Sequence, residues 1–363
     1  MDARSARLPL RGAGWLLAAA VVAAALSAIS GGLLRAGVAL PGAWWTAAVV
    51  DHAALMVGCF MGTVIAVERA VALRRPFAWV APVLSAAAGV ALLAGARFAG
   101  AVLLLTAGIV FVVVNVALFR RQAAPHTALL LASAVAWLAG DALFAAGASP
   151  AAVVPWWFTF LVVTIAAERL EMTRLMRRRR GAAESLYIAL AAQFAGAALV
   201  TAAPVAAGVL YGASLVLLAA WLFAFDIARR TVFAAGLPRY MAVCLLGGYA
   251  WLAVGGLAWA ATALGAPCRD AALHAIGIGF VLSMMFGHAP VILPAVAGVK
   301  LRFGRAFYLP LALLHVSLLL RLGPGSFDAV WRAGSSAGNA LAIGLFALTV
   351  AAAASDHHRA RPG

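Results

Sequence analysis

Twelve apolar stretches, each long enough to cross a bilayer and joined by short basic connections, occupy almost the whole chain. In hydrocarbon a helix satisfies its own backbone polar groups, and a span takes about 20 consecutive apolar residues. The runs lie near 13–34, 49–73, 77–95, 99–119, 126–147 and 152–170, then near 185–205, 207–228, 239–264, 271–296, 305–321 and 335–355. This pattern predicts an all-α polytopic membrane protein with about 12 transmembrane helices and with both the N-terminus and the C-terminus cytoplasmic. It reads as a single integral membrane domain over 1–363, divisible into halves 1–180 and 181–363. No stretch is left over for a sizeable soluble domain.

Charge placement tests that count, because Arg and Lys collect in cytoplasmic connections. With the N-terminus inside, the inner side receives 22 cations: Arg4, Arg7 and Arg11; Arg69, Arg74 and Arg75; Arg120 and Arg121; Arg169, Arg174 and Arg177 to Arg180; Arg229, Arg230 and Arg239; Lys300, Arg302 and Arg305; Arg359 and Arg361. The outer side receives five, Arg35, Arg97, Arg269, Arg321 and Arg332. A miscounted span in mid-chain would scramble this division. The alternative for the first run is a signal peptide cut between Ala25 and Ser30, but its apolar stretch exceeds the usual length of about 7–15 residues.

The formal net charge of +16 brings no nucleic acid with it, since no aromatic-interleaved basic groove accompanies it. The expected partner is the lipid bilayer, with Arg177 to Arg180 meeting anionic lipid of the inner leaflet. Cys59, Cys244 and Cys268 have no paired spacing, which argues against a disulfide framework or an iron–sulfur site. Walker A, dinucleotide-binding and HExxH patterns are missing from the sequence, which disfavours ATP-driven pumping.

Function therefore turns on polar side chains inside the spans, where they are costly and normally face a bundle interior. His52 follows Asp51 at the outer end of span two, with Met56 at the i,i+4 position on the same helix face. His274 and His288 both lie on span ten. Fourteen residues of regular helix would leave them about 40° short of a shared meridian and roughly 21 Å apart, so they share a face but not one metal. His315 on span eleven matches His52 and His274 in depth. Imidazole binds copper and haem iron, so His52, His274 and His315 are candidates for a copper site, or for two axial haem ligands and a neighbour; the alternatives are helix-end hydrogen bonding for His52 and unconnected interfacial histidines for the set.

His288 is followed by Pro290 and Pro294, which remove two backbone donors and predict a broken helix. It either binds a cofactor or ion, or hydrogen-bonds carbonyls freed at the kink. Met284 and Met285 fit ordinary helix packing better than a cofactor wall. His126 opens span five after Pro125 and reads as a boundary or capping residue, and His357 and His358 read as solvated tail residues. Gly58 and Gly62, four apart, favour close intramolecular helix packing over a dimer seam.

Glu68 and Arg69 close span two on the inner side, as Glu168, Arg169 and Glu171 close span six. Structural pairing explains them; the functional alternative is an ion or proton route through Glu68, Asn115, Asp141 and Glu168. Asp226 reads as part of a charge cluster with Arg229 and Arg230. The recurrence of Glu-Arg at 68–69 and 168–169 hints at an internal duplication.

The stretches DHAALMVGCFMGTVIAVERAVAL at 51–73 and LHAIGIGFVLSMMFGHAPVILPAVAG at 273–298 resemble the NnrS family of haem- and copper-containing membrane proteins linked to nitric oxide metabolism. The resemblance covers about 49 of 363 residues, and Ala289-Pro290 after Gly287-His288 departs from the more polar continuation of the family. It implies a twelve-helix protein of the bacterial inner membrane that holds haem and responds to nitrosative stress. The leading expectation is a haem or copper membrane protein using His52, His274, His288 and His315, with electron transfer to a respiratory redox partner or small-gas chemistry. Alternatives are a secondary transporter built on the broken helix and a non-catalytic assembly or sensor protein.

Overall fold

The computed structural model of the protein describes residues 11–41, 46–172, 181–298 and 301–359. Arg4, Arg7, Arg174, Arg177 to Arg180, Lys300, Arg361 and the side chains of His357 and His358 lie outside the described residues. Among the described residues, twelve helices are long and apolar enough to cross a membrane, and the chain is an all-α polytopic membrane protein. The chain divides into two compact units, Met1–Ala167 and Glu168–Gly363. The division falls inside the sixth helix, thirteen residues before the basic connection where the sequence suggested it.

The first unit holds α1 (Arg11–Arg35), α2 (Ala54–Leu73), α3 (Val80–Leu93), α4 (Arg97–Arg121), α5 (Pro125–Ala145) and most of α6 (Pro150–Met172). Proline opens α5 and α6, where its missing N–H costs nothing. The α5 cap is supplied by the Thr127 hydroxyl, which accepts the Ala124 N–H at 3.1 Å and donates to Gln122 O at 2.7 Å; His126, buried beside it, stands at the helix boundary. After α2 the chain turns at Arg74, which takes φ 56° where glycine is the usual occupant.

The second unit contains α7 (Ala182–Leu199), α8 (Pro204–Phe225), α9 (Leu237–Ala263), α10 (Arg269–Ala297), α11 (Tyr308–Leu322) and α12 (Ala329–Arg359). The last span begins at Ala329, six residues before the apolar run suggests, so Arg332 lies inside a helix and donates to Gly325 O at 2.9 Å.

Two helices are not regular. In α2 the nine residues Ala54–Gly62, and in α10 the eight residues Ala275–Leu282, adopt the wider π-helical pattern with i→i+5 hydrogen bonds. Such widening is rare and concentrates at functional positions. The irregularity of α10 thus lies upstream of its prolines: Ser283–Ala297 is helical through both Pro290 and Pro294. The break expected near 287–294 is replaced by a widened stretch at 275–282.

Small residues let these wider turns pack. A methyl group on Gly58 would sit 2.9 Å from Leu104 of α4, and one on Gly62 would sit 2.6 Å from Trp137 of α5. The two glycines therefore serve two different neighbours within one unit, not one seam. In α10, Gly279 is packed against the ring of Trp251 on α9 in the same way.

Candidate functional site

The four candidate histidines fall into two kinds, set by what their Nδ1 atoms meet. His52 Nδ1 lies 2.7 Å from Ala28 O of α1. His288 Nδ1 lies 2.7 Å from Met284 O, and His274 Nδ1 is 3.0 Å from Asp270 O and 3.1 Å from Asp270 Oδ1. Carbonyl and carboxylate oxygens only accept, so each neutral ring donates from Nδ1 and carries its lone pair on Nε2, the arrangement seen in metal-bound histidines.

His315 is the reverse. The Trp251 indole Nε1–H donates to its Nδ1 at 2.9 Å, with the two rings nearly parallel. The neutral ring must then hold its proton on Nε2, which is buried without a partner among the described residues. In this arrangement neither nitrogen of His315 carries a free lone pair. Gly247 makes room for it: a methyl group there would lie 3.1 Å from Nε2.

The widened stretches also change the spacing arguments. Met56 lies within Ala54–Gly62, so the i,i+4 register expected with His52 is interrupted. Eight of the residues between His274 and His288 follow the i→i+5 pattern, and a calculation at 3.6 residues per turn no longer fixes their relative faces. Pro290 and Pro294 free the carbonyls of Phe286 and Pro290, four residues back, and the ring of His288 bonds Met284 O, two residues before the first of these. Met284 itself packs its methyl against Gly248 of α9.

His274 is the most firmly held of the set. Asp270 orients its ring, and Arg321 of α11 grips Asp270 through two bonds, Nε to Oδ2 at 3.0 Å and Nη2 to Oδ1 at 2.9 Å. Arg321 extends the chain to Ser336 of α12 at 3.0 Å. Arg321 thus belongs to the polar interior of the second unit, a role its reading as an outer-loop cation did not anticipate.

The acidic residues separate by partner. Glu68 accepts from Arg69 at 2.8 Å, the structural pairing expected of neighbours. Arg169 instead reaches Asp226 through Nε at 2.7 Å and Nη2 at 3.1 Å, with both side chains almost wholly buried. Asp226 also accepts the Ala228 N–H at 2.6 Å, so it anchors the turn after α8 and is no mere member of a charge cluster. Asp51, beside His52, is paired with Arg97 at 3.0 Å; burial pushes its carboxyl above the usual carboxylate range while Arg97 pulls it down.

Asn115 donates to Phe111 O of its own helix at 2.9 Å. Asp141 is fully buried on α5 and accepts from the Trp157 indole at 2.9 Å. Gln193 on α7 is fully buried with both amide atoms unpartnered among the described residues. A single Gln in an Ala-rich run gave no spacing by which to find it. Among the described residues, no group of three or more His, Cys, Asp or Glu side chains is arranged to hold a metal ion.

A longer internal correspondence underlies the two Glu-Arg pairs. Phe60, Ile65, Ala66, Glu68 and Arg69 of α2 recur as Phe160, Ile165, Ala166, Glu168 and Arg169 of α6, one hundred residues on. In α10, Phe280 and Ser283 stand at the places of Phe60 and Thr63, and His288 then occupies the place of Glu68.

Twelve apolar helices with buried ion pairs and oriented histidines define a polytopic integral membrane protein with a polar interior. The chain belongs to the family described as domain of unknown function DUF8744, whose model matches residues 12–355. No curated protein and no solved structure matches it.

Proposed function

We propose that the protein binds haem within the bacterial inner membrane, with its Arg-rich connections in the cytoplasm and His274 as a residue that would hold the iron. The observation that carries this reading is the Arg321–Asp270–His274 relay, which fixes the ring and places the lone pair on Nε2. A carboxylate on the far nitrogen both orients a ligating imidazole and strengthens it as a donor. His288 of the same unit, with the same protonation pattern, is the residue from which a further ligand would come.

Haem is favoured over a copper centre of His52, His274 and His315, because haem needs one or two imidazoles and no three-residue constellation. The unsuitable tautomer of His315 weighs the same way. When bound, the iron would supply one-electron exchange with a respiratory redox partner or binding of a small gas such as nitric oxide.

Purified protein from haem-replete cells should show a haem absorbance spectrum, with parallel metal analysis for copper. His274→Ala should abolish or shift that spectrum, while His315→Phe should leave it. A wild-type protein free of haem absorbance, or a spectrum indifferent to His274→Ala, would refute the assignment.

A further inference from the structure

One end of the second unit carries arginines with no acid to pair with. Arg239 stands in the first turn of α9, and Arg302 and Arg305 lie on the connection between α10 and α11; all three side chains are exposed. An aromatic cluster holds the two segments together. Tyr240, fully buried, meets Phe303, Phe307 and Tyr308 with ring centroids 5.4, 5.7 and 5.2 Å away. The Arg302 N–H donates to Ala353 O of α12 at 3.1 Å, which fixes the connection at the same end. Arg239 Nε donates to Val232 O at 3.0 Å, and this brings in the connection before α9, where the neighbouring Phe233 is 83% exposed.

Two aspartates of this unit are committed elsewhere, Asp226 to Arg169 and Asp270 to Arg321. No acid pairs with Arg239, Arg302 or Arg305 among the described residues. Tyr308, within electrostatic reach of Arg239, adds a hydroxyl donor at the same place. Clustered guanidinium groups favour an anion that accepts several hydrogen bonds at once, and a phosphodiester does so. Phe233 indicates the source of that phosphate. An exposed aromatic ring beside cations belongs at the boundary between headgroups and acyl chains, so a phosphate carried by a lipid meets the arginines while the ring enters the acyl layer.

We infer that Arg239, Arg302 and Arg305, with Tyr308, bind the phosphate of an anionic phospholipid at this end of the second unit, with Phe233 set into the acyl layer beside it. Two connections far apart in sequence build the site, and the Tyr240 cluster fixes both, so it holds a bound lipid beyond the diffuse attraction of any basic loop for an anionic surface. Each arginine near such headgroups contributes about 1 kcal/mol, which is about fivefold in association. The inference does not rest on the haem reading, and a lipid titration and a haem spectrum test the two separately.

Full-length protein in a neutral detergent can be titrated with phosphatidylglycerol or with phosphatidylcholine, and the bound lipid counted by native mass spectrometry. Phosphatidylglycerol should bind saturably and in preference to phosphatidylcholine. Arg239→Gln should weaken it about fivefold, and glutamine at all three arginines on the order of a hundredfold. Arg269→Gln, which removes an exposed charge at the start of α10 and so at the opposite end of the unit, should leave binding unchanged. Equal retention of the two lipids would overturn the inference. A loss in Arg269→Gln equal to that in Arg239→Gln would also overturn it, since net charge alone would then explain the binding. If Arg239→Gln does not fold, Arg305→Gln, at an exposed side chain, replaces it with the same expectation. Inorganic phosphate at equal concentration should not displace the lipid, and displacement would refute the lipid as occupant.

Discussion

Helices α2 and α10 solve one problem with different sequences. Both open into a π-helical stretch, ALMVGCFMG in one and AIGIGFVL in the other, and both have a histidine just ahead of it. Both press a glycine against a tryptophan ring, Gly62 on Trp137 and Gly279 on Trp251. Both return to regular helix at a hydroxyl residue. Thr63 donates to Cys59 O at 2.6 Å and meets Ser85, whereas Ser283 donates to Cys244 O on α9 at 2.8 Å.

The helices part company after that residue. Five positions on, α2 carries Glu68, paired with the adjacent Arg69, and α10 carries His288, bonded to a carbonyl of its own helix. The indoles differ too, for Trp251 holds His315 while Trp137 Nε1 is unpartnered among the described residues. The shared feature is a backbone device, and the chemistry attached to it is free to vary. The same lesson holds for the Glu-Arg pair, which on the regular helix α6 sends its arginine to Asp226, fifty-seven residues away.

The Glu-Arg contrast offers the largest effect. Asp226→Ala removes the two-pronged acceptor of the buried Arg169 and should cost about 3–5 kcal/mol, while Glu68→Ala, at a partly exposed pair, should cost about 0–1 kcal/mol. Thermal unfolding of both variants in one detergent compares them, and equal losses would erase the distinction. Next come the glycines: Gly62→Ala and Gly279→Ala should each destabilise by about 1–3 kcal/mol through overpacking against an indole. A neutral result at either would mean that its widened turn relaxes freely.

Removing the exit hydroxyls should cost about 1 kcal/mol each, read from the same melting curves for Thr63→Val and Ser283→Ala. A much larger loss in one of them would show that the two exits are not equivalent. The smallest effect is in pH. Because burial raises the Asp51 carboxyl above its unfolded value, the fold favours its protonated form. Its contribution to stability should therefore rise as pH falls through the folded pKa toward the unfolded one, and decline as pH rises. Asp51→Asn should flatten that part of the stability profile, and an unchanged profile would assign the dependence elsewhere.

Much of the architecture was legible because a bilayer imposes a simple rule on length and polarity. The apolar runs located the twelve helices found among the described residues, and the boundary at Ala329 was missed by six residues because Val330, Trp331 and Arg332 precede a stretch of Gly and Ser whose apolar edge is soft. The widened stretches had no such signal. Proline at 290 and 294 drew the expected break to the wrong end of α10, since a missing donor is visible in a sequence and an extra residue in a turn is not.

The candidate histidines were found by residue type, but their protonation could not be. Whether an imidazole offers Nε2 to a metal depends on what touches Nδ1, and for His52 and His315 that atom comes from another helix, Ala28 O and Trp251 Nε1. Asp226 and Arg321 escaped notice for the same reason, each finding its partner more than fifty residues away. By itself, then, the chain determined its solvent and the number of its helices, because those follow from local hydropathy. Which buried charges are paired and which imidazole presents a lone pair were decided only by packing, because each is a property of two atoms that the sequence keeps apart.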